Sequence, residues 1–185
     1  MSIGGPIRIL AIPGSLRRLS FNRALLLAAR DLSRADFDLY DPAPLPLYNE
    51  DLEPAPSDAV LDLRARIRAA DALLFATPEY NFSISGVLKN VIDWGSQPLG
   101  ANCWDGKPAA ILGAAPSSIG TARAQLHLRQ ILAPLNVAAM PAPELLIGKA
   151  NEKFDAGGSL TDEPTRAALR DFLAAFDLWT RRLLR

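Results

Sequence analysis

Two polar segments of the chain carry residue types that could bind a charged, flat organic molecule. The first runs from Pro13 to Arg23 and combines one glycine with serines, an asparagine and arginines. A tight turn that opens a helix exposes unpaired backbone N–H groups, and guanidinium groups beside it can neutralise phosphate. The segment therefore predicts an anion site, and the side chains that we expect to take part are those of Ser15, Arg17, Ser20 and Asn22.

The first segment does not have either of two familiar phosphate-loop patterns. It is neither G-x-x-x-x-G-K-[ST] nor G-x-G-x-x-G. The missing lysine argues against a nucleoside triphosphatase, and the missing glycine triplet argues against a Rossmann dinucleotide loop. We interpret the segment as a site for a phosphate that is bound but not transferred. The alternative is a capped helix whose arginines are simply solvated.

The second polar segment runs from Thr77 to Gly86. It could present backbone N–H groups and the side chain of Asn81 to the edge of a flat heteroaromatic ring. In the alternative interpretation, Tyr80 is a partly buried packing residue and Glu79 is only solvated. The sequence leaves both interpretations open at this point.

Other catalytic chemistries find little support in the residue types present. His127 is the only histidine, and we expect it to face solvent or an interface. A Ser-His-Asp hydrolase is disfavoured because the chain has no G-x-S-x-G elbow and no evident nucleophile–base pair. Cys103 is the only cysteine, so an internal disulfide and a multi-cysteine metal site are excluded.

The elements that must position these segments alternate between strands and helices. Short apolar runs predict strands at 7–12, 37–40, 72–77 and 109–114, with an irregular last strand at 137–140 and 145–147. Apolar residues at helical spacing predict helices from Phe21 to Arg34, after Ser57, from about Gly86, from Thr121 to Leu132, and after a cap at Thr161.

This alternation predicts an α/β fold with an open parallel sheet, because each strand must return over the sheet through a right-handed crossover. We expect a flavodoxin-like arrangement: five strands in the order 2-1-3-4-5, helices on both faces, and one domain over residues 1–185. In such sheets ligands bind beyond the carboxyl ends of the strands. The two polar segments and the loop after the fourth strand should therefore meet at one edge.

Composition limits the partners and the compartment. The 185 residues include 20 Lys+Arg and 20 Asp+Glu, so the formal charge is zero and no general attraction to nucleic acid or anionic lipid is expected. No apolar stretch is long enough to span a membrane, and the N-terminus does not read as a signal peptide. With a single cysteine, the chain is expected in the cytoplasm.

Three stretches of the sequence resemble one known family. GSLRRLSFNR, PEYNFSISGVLKNVIDW and GKPAAILGAAPSSIGTARAQLHLRQIL are similar to the NADPH-dependent FMN reductases, which include quinone and chromate reductases. The resemblance covers most of the chain. It implies a flavodoxin-like fold, bound FMN, NADPH or NADH as electron donor, and assembly into a homodimer or homotetramer.

The resemblance also assigns residues to the parts of FMN. It implies a phosphate loop at Ser15, Arg17, Ser20 and Asn22, and a loop against the isoalloxazine ring at Pro78, Glu79, Tyr80 and Asn81. A third contact segment falls on residues 115–119 beside the ring, with Ala115 and Ser117 as contacts. This segment departs from the family pattern, because Pro116 removes one backbone donor.

The activity implied by the resemblance is an NAD(P)H oxidoreductase that passes two electrons through FMN to quinones, chromate, azo or nitro compounds. The flavin supplies the chemistry, so no catalytic side chain is expected. One shared crevice for donor and acceptor suggests a ping-pong cycle. The alternative is an FMN-binding electron carrier or flavin-sensing module with little NAD(P)H turnover, which zero net charge disfavours.

Overall fold

A parallel six-stranded sheet forms the centre of the computed structural model, which describes residues 5–184. Residues 1–4 and 185 of the predicted 1–185 domain lie outside the described residues. The strands are β1 (Arg8–Pro13), β2 (Asp36–Leu39), β3 (Ala72–Ala76), β4 (Pro108–Ala114), β5 (Ala138–Ala139) and β6 (Leu145–Ile147).

The strand order is β2-β1-β3-β4-β5, and β6 also pairs with β4. All these pairs are parallel; Leu10, for example, lies opposite Asp38 of β2 and Leu73 of β3. The predicted flavodoxin-like order is confirmed. The predicted irregular last strand consists of two short pieces, and Pro141 and Pro143 lie between them. Proline has no N–H to donate to a ladder, which accounts for the interruption.

Five α-helices pack against the sheet within residues 5–184, and the fifth follows the last strand. They are α1 (Phe21–Leu32), α2 (Asp58–Ala69), α3 (Gly86–Ser96), α4 (Ala122–Leu132) and α5 (Glu163–Leu183). The predicted cap of the last helix at Thr161 is wrong. Asp162 caps α5 instead, since its side chain accepts a hydrogen bond from the Thr165 N–H. A carboxylate satisfies an unpaired N–H and also complements the positive end of the helix dipole.

The helices cover both faces of the sheet, as predicted. Strand side chains alternate between two buried clusters, so that Ala11 and Leu74 face α1 and α5, whereas Leu10 and Phe75 face α2, α3 and α4. Strands buried on both faces read as continuous apolar runs, which is why the sequence identifies them. No helix within residues 5–184 has both the length and the apolarity needed to cross a bilayer.

Candidate functional site

The loops after β1 and β3 pack directly against each other. The Gly14 N–H donates to the Ala76 carbonyl at 2.8 Å, and the Ser85 hydroxyl donates to the Gly14 carbonyl at 2.6 Å. A Cβ atom on Gly14 would lie only 2.8 Å from Cδ of Pro78. Glycine at this position therefore allows the two loops to approach at the carboxyl edge of the sheet.

Two buried hydroxyl groups stand at the N-terminus of α1. Ser15 Oγ accepts from the Arg17 N–H, and Ser20 Oγ accepts from the Arg23 N–H, each at 3.3 Å. The guanidinium of Arg17 is exposed, with its Cζ 4.9 Å from the centre of the Phe21 ring. Hydroxyls, a guanidinium and the positive end of a helix converge here, which is a set of groups suited to an anion.

Asn22 has a structural task at this site. Its side chain is 3% exposed, and it exchanges two hydrogen bonds with the backbone of Ala114 at the end of β4. Because both amide groups bond to Ala114, a direct contact from Asn22 to an anion would come from its backbone N–H. The sequence could not distinguish these two tasks of one side chain.

The loop after β3 contains a tight turn with left-handed backbone. The N–H groups of Tyr80 and Ser83 each donate to the carbonyl of the other at 3.0 Å. Between them, Asn81 has φ +49° and Phe82 has φ +64°. Positive φ is unusual for a bulky side chain such as that of Phe82. The turn leaves Tyr80 51% exposed, among the exposed large apolar residues of the chain. It is therefore not the packing residue of the alternative interpretation.

Glu79 is buried rather than solvated, which contradicts the alternative interpretation of this residue. Its side chain is 6% exposed, and its carboxylate accepts from the N–H groups of Arg123 and Ala124 at 3.0 and 3.2 Å. It also accepts from Arg123 Nε at 2.6 Å. Glu79 therefore caps α4 and forms an ion pair with the first turn of that helix.

Two further contacts join the same loop to α4. The Arg123 guanidinium lies over the Phe82 ring, with Cζ 3.7 Å from the ring centre, and His127 Nδ1 is 3.0 Å from Ser83 Oγ. His127 is exposed, as predicted. The contact between the Arg123 guanidinium and the Phe82 ring was not predicted from the sequence, because the two residues lie 41 positions apart. Only the meeting of the third and fourth loops at one edge could have indicated it.

The loop after β4 is held by backbone hydrogen bonds to the chain that follows β6. The Ala115 N–H donates to Ile147, and the Ala115 carbonyl accepts from Ala150. The Lys149 N–H donates to the carbonyl of Ser117, whose hydroxyl donates to the Gly120 carbonyl at 3.0 Å. The backbone of this loop is thus fixed on the side away from the other two loops.

The three loops enclose two adjoining cavities. The inner cavity, of about 280 Å³, is lined by Ser15, Arg17, Ser20, Phe21, Asn22, Pro78, Glu79, Tyr80, Ala114, Ala115 and Pro116. The outer cavity, of about 450 Å³, is lined by Glu79, Asn81, Phe82, Ala115, Pro116, Ser117 and Arg123. Every residue that the sequence predicted for the site lines one cavity or the other.

A larger recess of about 760 Å³ lies near the start of β1, between the chain after α1 and the face of α5. It is at the amino end of the strands. In open parallel sheets ligands bind beyond the carboxyl ends, and the polar groups described above converge there. We therefore place the candidate site at the carboxyl edge and not in this larger recess.

Comparison with known proteins identifies the family. Residues 7–152 match the family described as NADPH-dependent FMN reductase. The chain belongs to this family. The sequence-based predictions of the family, of a reductase that uses FMN and NAD(P)H, and of the fold are confirmed at this level.

Individual members of the NADPH-dependent FMN reductase family match over nearly the whole chain. An NAD(P)H-dependent FMN reductase of Pseudomonas aeruginosa is 50% identical and covers 96% of this chain and 97% of its own. A 2-hydroxy-1,4-benzoquinone reductase of Burkholderia is 42% identical, with coverages of 95% and 97%. The solved structure of the Paracoccus denitrificans flavoenzyme NAD(P)H:(acceptor) oxidoreductase FerB has a TM-score of 0.88 and 40% identity, covering 95% of this chain and 98% of its own.

The groups that line the two cavities fit FMN, the cofactor of this reductase family. A phosphate ester requires hydrogen-bond donors and positive charge, which Ser15, Ser20, Arg17 and the start of α1 offer at one end of the inner cavity. A flat ring requires an apolar wall with polar groups at its margin. Ala115 and Pro116 provide such a wall where the two cavities adjoin.

Proposed function

We propose that this reductase holds FMN across the three loops and passes two electrons from NADPH or NADH to quinones and other small oxidised acceptors. The observation that carries the proposal is the convergence of a cationic, hydroxyl-rich loop with two other loops around two adjoining cavities. Bound FMN supplies the redox chemistry. The residues of the chain contribute binding, orientation and electrostatics.

Ser15, Arg17 and Ser20 would hold the phosphate. Both serines are buried and lie beside the N-terminus of α1, and Arg17 adds an exposed positive charge. Charge-assisted hydrogen bonds of this kind are about twice as strong as neutral ones. The phosphate therefore fixes the position of the cofactor, and Asn22 supports the loop by joining α1 to β4.

Pro78, Tyr80, Asn81, Ala115 and Ser117 would border the ring. Glu79 contributes indirectly, since its carboxylate is already occupied by α4 and Arg123. This ion pair, in which only the carboxylate is buried, joins the loop to α4 next to the turn at residues 80–83. Backbone N–H groups at the margin of the ring would stabilise negative charge that develops there on reduction.

Donor and acceptor would use the same exposed face of the ring in turn. The outer cavity is open to solvent and has room for one flat molecule against the ring. This geometry supports a ping-pong cycle, in which oxidised nicotinamide leaves before the acceptor binds. Parallel lines in double-reciprocal plots at several acceptor concentrations are expected; intersecting lines would contradict the shared site.

The acceptor class follows from the relatives. Several of them are named quinone reductases, including proteins from Pseudomonas putida and Arabidopsis thaliana that are 42% identical to this chain. A wall of Ala115 and Pro116 offers apolar contact without acceptor-specific hydrogen bonds. We therefore infer a broad acceptor range that includes quinones, chromate, and azo and nitro compounds.

A homodimer or homotetramer is part of the proposal. The segment from Pro42 to Pro56 lies beside the crevice and is fixed to α3, because Asn90 Nδ2 and Trp94 Nε1 both donate to the Pro46 carbonyl at 2.9 Å. Leu47, next to this anchor, is 83% exposed. A second copy would cover this surface. A cytoplasmic location without nucleic-acid or membrane partners stays a prediction.

The decisive experiment is anaerobic reduction of the FMN-loaded protein. Purified protein should bind FMN, lose the visible flavin absorbance on addition of NADPH, and regain it on addition of 1,4-benzoquinone. A protein that binds FMN but stays oxidised with both NADPH and NADH would instead be an electron carrier or sensing module. A protein that binds no FMN would contradict the proposed site.

A further inference from the structure

A further recess, separate from the two cavities and from the larger recess near α5, adjoins the candidate site on the far side of the first loop. It has a volume of about 440 Å³ and lies between this loop and the turn that follows β2. Its lining residues are Pro13, Ser15, Leu16, Arg17, Arg18, Arg23, Leu39, Tyr40, Asp41, Pro42 and Ala43. Ser15 and Arg17 also line the inner cavity, so the two recesses share a wall at the proposed phosphate position.

The charges in this recess are unbalanced. Arg17, Arg18 and Arg23 face one carboxylate, that of Asp41, which accepts from the Ala43 N–H at 3.1 Å. Within residues 5–184, no carboxylate lies within ion-pair distance of Arg18 or Arg23. The recess therefore carries an excess of positive charge that the protein itself does not neutralise.

Two arginines elsewhere on α1 and α2 form ion pairs. Arg30, on the same helix as Arg23, lies 3.2 Å from Asp31, and Arg66 forms ion pairs with both Asp38 and Asp62. Arg18 and Arg23 differ from these two arginines, because both line the recess beside the first loop and neither has a carboxylate partner among the described residues. If Arg17 serves the FMN phosphate, Arg18 and Arg23 remain for a second anion.

We propose that Arg18 and Arg23 bind the 2′-phosphate of NADPH and so give this reductase a preference for NADPH over NADH. The inference rests on the proposed position of FMN. A nicotinamide stacked on the ring places its dinucleotide along the open side of the cofactor. Because the dinucleotide is longer than FMN, its adenosine end would reach past Arg17 into this recess when it follows the cofactor toward the first loop. The forked donors of two guanidinium groups match a phosphate dianion.

Asp41 has the opposite effect on the choice between NADPH and NADH. It follows β2, and a carboxylate at the end of that strand is the group that accepts the ribose 2′-hydroxyl in many NAD-binding sheets. Next to a 2′-phosphate the same carboxylate is repulsive. The recess thus contains two groups that favour NADPH and one that favours NADH, and the guanidinium groups are in the majority.

The test compares the ratio of kcat/KM for NADPH to that for NADH in the wild type and three variants. Arg18→Gln and Arg23→Gln together should lower the ratio about tenfold or more, and Asp41→Asn should raise it. Arg30→Gln is the matched control, because this arginine is on α1 but outside the recess, and the ratio should not change. A ratio that stays within about twofold in the double variant would overturn the assignment.

Direct binding separates this inference from the proposed function. Calorimetry with adenosine 2′-monophosphate should show weaker binding to the double variant than to the wild type, whereas adenosine 5′-monophosphate should not discriminate between them. Equal affinity of the double variant and the wild type for the 2′-phosphate probe would reject the assignment. Wild-type protein that binds FMN and reduces 1,4-benzoquinone but does not bind the 2′-phosphate probe would contradict only this inference, whereas protein that binds no FMN would contradict the proposed function first.

Discussion

The side-chain amide of Asn22 pairs with both backbone polar groups of Ala114. Asn22 Nδ2 donates to the Ala114 carbonyl at 3.0 Å, and the Ala114 N–H donates to Asn22 Oδ1 at 2.9 Å. The Asn22 side chain thereby supplies the two hydrogen-bond partners that an adjacent strand would otherwise provide to the end of β4. It also fixes the start of α1, and with it the predicted phosphate loop, to the strand that leads into the ring-side loop.

Replacing Asn22 with alanine should destabilise the fold. Two buried backbone groups of Ala114 would lose their partner, at a cost of about 2–4 kcal/mol in the free energy of unfolding. Urea unfolding monitored by tryptophan fluorescence measures the change. Gln130→Ala removes an exposed amide from α4 and should alter stability by less than about 0.5 kcal/mol. An Asn22→Ala protein as stable as the wild type would contradict the role of this pair.

Replacing Arg17 with alanine should weaken FMN binding without destabilising the fold. The side chain is exposed and contacts Phe21 alone among the described aromatic residues, so its removal leaves the core intact. Losing one charge-assisted contact to phosphate should lower FMN affinity about 10–100-fold. Fluorescence titration of the protein stripped of FMN gives the affinity. Arg30→Ala is the control, and equal FMN affinity in the two variants would remove Arg17 from the site.

The backbone of Phe82 provides a comparison between two substitutions. Both Phe82→Gly and Phe82→Ala remove the ring that Arg123 covers, but only glycine adopts φ +64° without strain. The glycine variant should therefore be about 1 kcal/mol more stable than the alanine variant. Thermal unfolding of both proteins measures the difference. If alanine is as stable as glycine, the turn relaxes and is not held by its contacts with α4.

The cap of α5 predicts a dependence of stability on pH. Hydrogen bonds from the Thr165 hydroxyl and the Thr165 N–H lower the pKa of Asp162 below its usual value of 3.8, with a further contribution from Lys153. The charged carboxylate is thus favoured in the folded state, so its stabilisation is present above pH 3.8 and is lost as the pH falls through the lower folded pKa.

Asp162→Ala should accordingly lower the melting temperature at neutral pH, and the difference from the wild type should narrow below pH 3.8. Thr161→Ala is the control, because Thr161 lies before the cap and its N–H bonds to the Lys153 carbonyl. A difference that stays constant from neutral to acid pH would show that the charge of Asp162 contributes nothing. A larger effect at Thr161 would restore the original assignment of the cap.

The strands could be predicted because a strand that is buried on both faces consists of an unbroken run of apolar residues. β3 is an uninterrupted apolar run of five residues, and all five are buried. The order of the strands then places three loops at one edge, and the family resemblance selected, within these loops, the residues that line the cavities. The cap of α5 was misassigned because Thr161 and Asp162 are adjacent and both residue types favour caps.

Side-chain partners at the site could not be predicted in the same way. Glu79 and Arg123 are 44 positions apart, and nothing in the local pattern indicates that a charged residue after β3 is buried against α4. The sequence suggests that Asn22 is an anion ligand, because an asparagine side chain can bind an anion as well as it can bond to two backbone groups. Such choices depend on distances across the sheet edge that only the folded backbone defines.

The hydrogen bonds from the loop after β4 to residues 147–150 have a kinetic consequence. With the carbonyls of Ala115 and Ser117 already engaged, the backbone of this loop is ordered without a ligand, so less ordering entropy is lost on binding. Uptake of FMN should then follow a single exponential whose rate rises linearly with concentration, without a plateau from a slow rearrangement. A loop that is ordered in advance is also consistent with the proposed breadth of acceptors, because no acceptor has to reshape the site before it binds.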